Sequence, residues 1–526
     1  MESETADHST PTVPRSGMRR RAFVQGMLAA GVAAGTVPVW ASSAAAGRAT
    51  DVPDDWLDFD DLVGSAFDQM RLVGAAVAVV SADQVLHTAT FGDRSLAPRR
   101  PVTESTRFRI GSVTKSMTAT LLATYVDEGK LGWDQPVVDA WSGFRAPTDE
   151  LTRALRVRDL VGMASGLAES PSTSLRFGGP TTAQLLASVV NLPVINQSDK
   201  EFFYNNTVYA VGGYLPFLAS GVAPQDVRPA YTQAMRERLY APAGMTGAQI
   251  ADDPRGLVDD YATGNQFDLR PRATTIPFGP IGSYTPAGGA LADLRDMAAW
   301  ARLQLRQGVS VGGGRVVSAA NLAECWKPHV TMELARELDP DYVSAGYAMG
   351  WIREENKDGS SLVWHNGAID GFASFIGFLP QHDLGLVVLN SMTAAPIGNL
   401  LYTYVLNLLL SQRLGLNRGV PAKVLAANTS AWDELRQLGR QARSVDNTAV
   451  APFLGYYEGG YSLVLDGPDL QLRIGSRVMP LEVMPDGSYV MSGGFMVGIP
   501  VKLAIESDGV PHVEIVGIET VRRTTA

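Results

Sequence analysis

The chain has 526 residues, 45% of them hydrophobic and 19% charged, a composition that builds a large packed core and excludes an intrinsically disordered protein. Its formal charge of −10, with no basic stripe beyond the amino terminus, argues against general binding to nucleic acid or anionic membranes and leaves small molecules or peptides as the expected partners. One cysteine, Cys325, rules out an intrachain disulfide, and six scattered histidines (His8, His87, His329, His365, His382, His512) show no zinc-ligand spacing, so neither a metal nor a cofactor is expected.

Residues 18–46 run from an arginine cluster through a short Ala/Gly-rich apolar stretch to small residues suited to a signal peptidase. Arg20-Arg21-Ala22-Phe23 reads as a twin-arginine export motif, and the apolar part falls short of the roughly 20 residues of a spanning helix. Cleavage near Ala46-Gly47 and a periplasmic or extracellular location are expected, with no membrane span in the mature chain.

From about residue 56 to 418, apolar runs of strand length mix with longer helical patterns, which points to an α/β or α+β domain. Residues 73–80 and 85–91 read as two strands of an opening hairpin. Residues 111–128 read as a helix that Gly129 terminates. Its first turn carries Ser112-Val113-Thr114-Lys115, a spacing that puts hydroxyl and amine on one face. A serine hydroxyl needs a neighbouring base, a lysine serves when its surroundings leave it neutral, and the helix start offers free N–H groups to an oxyanion. Taken alone, the same four residues also read as an N-cap serine and a solvated lysine.

Tyr204-Asn205-Asn206 follows, a phenol able to relay a proton and a carboxamide able to hold both a substrate carbonyl and a lysine, or else a buried tyrosine beside a capping asparagine. Residues 293–306 read as an amphipathic helix. Gly308-Val309-Ser310-Val311-Gly312 matches a nucleophile-elbow pattern but follows a helix rather than a strand, so Ser310 reads as a loop residue. Nothing near Cys325 in sequence would activate its thiol. His365-Asn366-Gly367 lies after the strand-like residues 361–364 and before the strands at 371–379 and 384–389. There Gly367 permits close approach of a substrate backbone, the Ala368 N–H offers an oxyanion donor, and His365 can bond Tyr204 or substrate.

Residues 400–410 read as a buried helix closing this domain. Residues 421–446 read as a connector whose short helix begins near Ser430. Beyond residue 453, alternating runs separated by Asp466-Gly467, Asp486-Gly487 and Asp508-Gly509 read as hairpins of an antiparallel barrel or sandwich.

Ser-x-x-Lys, Tyr-x-Asn and His-x-Gly in this order, with residues 108–119 around the first and Pro286-Ala287-Gly288-Gly289 before the last, resemble the penicillin-recognising serine hydrolases. That group spans class C beta-lactamases, D,D-peptidases, D-aminopeptidases and related esterases. The resemblance implies an α+β fold, an antiparallel sheet flanked by helices with an all-helical subdomain, over residues 56–418. A connector at 419–449 and a lipocalin-like β-domain at 450–526 would follow. It implies Ser112 as nucleophile, Lys115 as base, Tyr204 as proton relay and His365 as the third catalytic group. Asn206 and Gly367 would border the substrate, and the Ser112 and Ala368 N–H groups would form the oxyanion hole. Which of Lys115 and Tyr204 takes the first proton stays open. Where beta-lactamases carry a lysine this chain has His365, mostly neutral at neutral pH, which favours peptides or esters over beta-lactams.

The expected activity is acyl-enzyme hydrolysis of peptide or amide bonds near D-amino acids, or of esters. The alternatives are a beta-lactamase or D,D-carboxypeptidase, a peptide cyclase or thioesterase, and an inactive binding protein. Substrate choice is expected to depend on the loops at 162–180 and 254–280.

Overall fold

The computed structural model describes residues 56–169, 179–195, 201–333, 341–393, 400–416, 419–475, 477–494 and 496–524. The export signal read in residues 18–46 lies outside them, as does part of the loop at 162–180.

The amino-terminal unit is α+β. Helix α1 (Trp56–Gln69) leads into strands β1 (Gly74–Val80), β2 (Val85–Ser95) and the short β3 (Arg100–Pro101). After the helical region and α2 (Thr114–Asp127), α3 (Asn206–Ala219), α4 (Thr285–Gly288) and α5 (Leu294–Leu305) come six further strands. These are β4 (Val330–Met332), β5 (Tyr342–Tyr347), β6 (Ile352–Asn356), β7 (Ser361–Ile369), β8 (Phe372–Leu379) and β9 (Leu384–Asn390). The nine strands form one antiparallel sheet in the order β3-β2-β1-β9-β8-β7-β6-β5-β4. Strand β1, GAAVAVV, is buried at every position and pairs Val77 with Val388 of the equally buried β9. Continuous apolar strands of this kind demand cover on both faces. Helix α5 packs on β1, β8 and β9, while α1 and α6 (Leu400–Leu414) pack on β2 and β9. The apolar run at 400–410 is thus a core helix, and no helix among the described residues is long and apolar enough to cross a membrane.

The expected helix start near Ser430 is corrected. Helix α7 (Val420–Gln441) begins ten residues earlier, behind Gly419 at φ +83°, with Pro421 in its first turn, and Ser430 is an exposed interior residue. Proline fits the first helical turn because that turn needs no N–H from it, a stronger start signal than an isolated serine. Nor is α7 a loose connector. Val424 and Trp432 enter the hydrolase core, with Trp432 against Phe267 at 4.4 Å between ring centroids, while Leu435 joins a cluster with Leu269, Val490 and Val497.

Eight antiparallel strands then follow in chain order: β10 (Gly455–Tyr457), β11 (Tyr461–Asp466), β12 (Asp469–Ile474), β13 (Arg477–Val483), β14 (Tyr489–Met491), β15 (Pro500–Ile505), β16 (Pro511–Ile515) and β17 (Glu519–Arg522). Tyr457 bridges Arg523, and the Thr524 N–H reaches the Tyr456 carbonyl at 2.9 Å, so the last strand returns to the first and the sheet nearly closes into a barrel. Closure removes the exposed edges that an open sheet of this size would leave. Leu463, Leu470, Leu472 and Val513 fill the interior by simple alternation.

Candidate active site

Helix α2 is buried along most of its length although its sequence, TKSMTATLLATYVD, is rich in hydroxyls. Those hydroxyls turn back on the helix: Thr118 Oγ1 donates to the Thr114 carbonyl at 3.2 Å and Thr120 Oγ1 to the Ser116 carbonyl at 3.0 Å. Burial therefore leaves them satisfied. A 3₁₀ turn at Gly111–Val113 precedes the helix and holds Ser112. Gly111 has φ +50°, and a Cβ there would lie 3.0 Å from the Ala368 nitrogen, so glycine meets both the backbone conformation and the close packing against β7. The entering strand, Phe108–Arg109, pairs with Ala290–Ala292, and Ala290 N–H donates to Thr114 Oγ1 at 3.1 Å. These bonds lace the nucleophile turn to the glycine-rich segment.

Ser112 Oγ receives two hydrogen bonds, from Lys115 Nζ at 3.1 Å and from the Tyr204 hydroxyl at 2.9 Å. Ser112 keeps 8% exposure whereas Lys115 has none, so the amine lies behind the serine, away from solvent. Lys115 Nζ also donates to Asn206 Oδ1 and to the Ala287 carbonyl, each at 2.8 Å, and lies 4.8 Å from the Tyr204 ring centre. The Ala287 carbonyl comes from the Pro286-Ala287-Gly288-Gly289 segment; its bond to the lysine was invisible in the sequence.

Asn206 opens α3, and Asn205, not Asn206, is its N-cap, accepting from Val208 N–H at 2.9 Å. Glu169 holds the same helix start: its carboxylate accepts from the Asn206 N–H and, at 2.6 Å, from Thr207 Oγ1. A negative group is favoured there by the free N–H groups and the helix dipole. In the sequence Glu169 is legible only as part of the loop at 162–180. Asn206 Nδ2 is buried and has no partner among the described residues.

His365, Asn366, Gly367 and Ala368 lie within β7, not after it. Pairing between β6 and β7 stops at Trp364, so the outer edge of residues 365–369 carries no strand among the described residues. The β7–β8 hairpin turns on Asp370 and Gly371, at φ +32° and +85°, with Ile369 opposite Phe372. In such a two-residue turn the flanking pair exchanges both ladder bonds, and the alternation then aims the Ala368 N–H at that outer edge, beside Gly111. Gly367 is required for this approach, since a Cβ would stand 2.0 Å from the Ile110 carbonyl oxygen.

His365 departs from expectation in its partners. Its Nδ1 faces the Asn366 carbonyl, which can only accept, so Nδ1 bears the proton; Nε2 then accepts from the Tyr347 hydroxyl at 3.1 Å. Burial, and secondarily the charge of Lys115, push the imidazole pKa down to about 3, while burial keeps the Tyr347 phenol well above its ordinary value. His365 is therefore neutral, with its ring centre 6.4 Å from that of Tyr204. Tyr347 carried no sequence signal. Ser310 sits in a glycine turn, its N–H bonded to the Gly314 carbonyl at 2.8 Å, and burial pushes the Cys325 thiol up, so neither competes as nucleophile.

A hydroxyl bonded to a buried amine and a phenol, in the turn that opens a core helix and packs beside a sheet strand, defines the class of serine hydrolases. The beta-lactamase family profile matches residues 59–410, and the chain belongs to the beta-lactamase family. It is 25% identical over 427 residues to the unguisins hydrolase of Aspergillus campestris, covering 77% of this chain and 75% of that protein. Over 330 residues it is 28% identical to penicillin-binding protein 4 of Amycolatopsis lactamdurans, covering 60% of this chain and 80% of the relative. Among solved structures, the octameric penicillin-binding protein homologue from Pyrococcus abyssi superposes with a TM-score of 0.59 at 21% identity, over 89% of this chain and 100% of that one, a likeness of fold.

Proposed function

We propose that this is an exported serine hydrolase that cleaves peptide or amide bonds next to D-amino acids, with esters as a second substrate class, through an acyl-enzyme on Ser112. The observation that carries the reading is the pair of hydrogen bonds that Lys115 and Tyr204 direct at one hydroxyl. With Lys115 as the neutral amine, or Tyr204 as the phenolate, Ser112 Oγ attacks the carbonyl carbon while its proton passes to Lys115 Nζ or to the Tyr204 oxygen. The Ser112 and Ala368 N–H groups receive the oxyanion. Asn206 Nδ2, buried and without a partner among the described residues, is assigned to a substrate amide carbonyl. Collapse breaks the C–N bond, the departing amine takes the stored proton, and water repeats the sequence to release the acid.

A neutral His365 in place of a fixed cation supports peptides and esters ahead of beta-lactams. The resemblance to a hydrolase of unguisins supports hydrolysis, and the resemblance to a penicillin-binding protein keeps acylation by penicillins as a second reading. Export rests on the arginine cluster and apolar stretch of residues 18–46. Hydrolase, connector and β-domain are assigned to 56–418, 419–449 and 450–526, the last as a lipocalin-like module.

The test treats the protein and its Ser112→Ala variant with fluorophosphonate and penicillin probes and maps adducts by mass spectrometry. Labelling at Ser112 that the variant loses is expected; an adduct on Ser310, or equal labelling of both proteins, overturns the assignment. Turnover of D- and L-configured peptides against short-chain esters then ranks the substrate classes.

A further inference from the structure

The hairpin that carries the oxyanion edge is held at its tip by a residue from the other domain. Asp370, two residues beyond Ala368, is the first residue of the β7–β8 turn. Its carboxylate takes Arg477 of barrel strand β13 through both oxygens, Nε to Oδ1 at 3.1 Å and Nη2 to Oδ2 at 3.0 Å. On the hydrolase side it takes a single bond from Arg109 Nη1 at 3.2 Å. Arg109 stands three residues before Ser112 and is wholly buried, and its Nε and Nη2 have no partner among the described residues. The side chains of all three groups are at most 10% exposed. Gly279 closes over them: a Cβ there would lie 2.8 Å from Asp370 Oδ2 and 3.1 Å from Arg477 Nη2.

Among the described residues the hydrolase therefore supplies one hydrogen bond to this carboxylate and the barrel supplies two. A paired, planar guanidinium grip fixes direction as well as charge, and a desolvated pair is screened little by solvent. We propose that Arg477 is a positioning residue for hydrolysis: through Asp370 it sets the β7–β8 hairpin, and with it the Ala368 N–H, against the nucleophile turn. The C-terminal barrel is by this account a working part of the active site. The inference rests on the Ser112 reading above.

The same barrel strand offers an internal control. Glu482, also on β13, pairs in two-bond fashion with Arg270 of the hydrolase at 2.6 and 2.7 Å, away from the hairpin. The experiment compares Arg477→Gln, Arg477→Lys and Arg270→Gln in the full chain. Readouts are kcat and KM on the best ester or peptide, the rate of fluorophosphonate labelling at Ser112, and backbone hydrogen exchange. Arg477→Gln should lower kcat and the labelling rate by roughly tenfold to a hundredfold, the scale of a small misplacement of reacting groups. Exchange should quicken across residues 365–372, with protection elsewhere in both sheets retained. Arg477→Lys, which keeps the charge but loses the fork, should fall between, and Arg270→Gln should match the unaltered protein. Unchanged kcat and labelling in Arg477→Gln overturn the proposal. So does an equal loss in Arg270→Gln, or loss of protection across both domains, since either means general undocking or unfolding. If the unaltered protein is not labelled at Ser112, the functional reading fails instead, and exchange at 365–372 still decides whether Arg477 holds the hairpin.

Discussion

At the scale of residues, two of the three motifs meet on one oxygen, and the third lies beside them. Ser112, Lys115 and Tyr204 form a directly bonded set, whereas His365 spends both ring nitrogens on Asn366 and Tyr347 and is neutral. Its titration has a sign that can be checked. The folded imidazole, at about 3, lies below the ordinary value near 6.5, so in that interval the unfolded chain binds a proton that the folded chain refuses. The contribution of His365 to stability is whole above about pH 6.5 and is lost as pH falls toward 3. Denaturant unfolding from pH 7.5 to 4 should thus show a shallower loss of stability in His365→Asn than in the unaltered protein; parallel slopes would refute a buried neutral imidazole.

At the scale of elements, the site depends on close backbone approaches that larger residues would block. Strand β7 can run beside the nucleophile turn because Gly367 leaves room for the Ile110 carbonyl and for Ser374 Oγ, which donates to that carbonyl at 2.7 Å. The obstacle to Gly367→Ala is backbone rather than a yielding side-chain tip, so the strand itself must shift. We expect a stability loss of about 1–3 kcal/mol from overpacking, with kcat falling further than that loss explains. Urea titration and steady-state rates measure the two effects, and near-normal turnover in a correctly folded Gly367→Ala protein would contradict this geometry. The helices tell a related story. The 3₁₀ turn running into α2 keeps Ser112 and Lys115 on one face by local geometry, whereas the start of α3 that carries Asn206 is capped both by its neighbour Asn205 and by Glu169 from a loop far away in sequence.

At the scale of the whole molecule, two units share one helix. Helix α7 inserts Trp432 beside Phe267 and sends Leu435 into the cluster that includes Val490 and Val497 of the barrel unit. Trp432 is 3% exposed, so truncation leaves a cavity where α7 meets the hydrolase core. Trp432→Ala should cost about 3–5 kcal/mol and separate the unfolding of the barrel from that of the hydrolase in calorimetry. A loss under about 1 kcal/mol, the scale of an ordinary surface substitution, would show that α7 is not a structural splint.

Much of this protein was legible before any coordinates. The buried strands at 74–80 and 384–390, the turn that opens α2, and the hairpins at Asp466-Gly467, Asp486-Gly487 and Asp508-Gly509 follow from local periodicity and turn chemistry, and the family was legible as a resemblance carried by three short motifs, which the profile match bears out. Those signals are local because a helical turn or a two-residue hairpin brings near neighbours together whatever the rest of the chain does. The start of α7 was misread, since Ser430 offered a plausible cap while Pro421 marked the true first turn. Only the folded chain joins Lys115 to Ala287, Asn206 to Glu169, His365 to Tyr347, and Arg477 to Asp370. Each of those pairs lies far apart in sequence or across alternate strands, where no periodicity reports contact, and packing alone decides which polar group answers another.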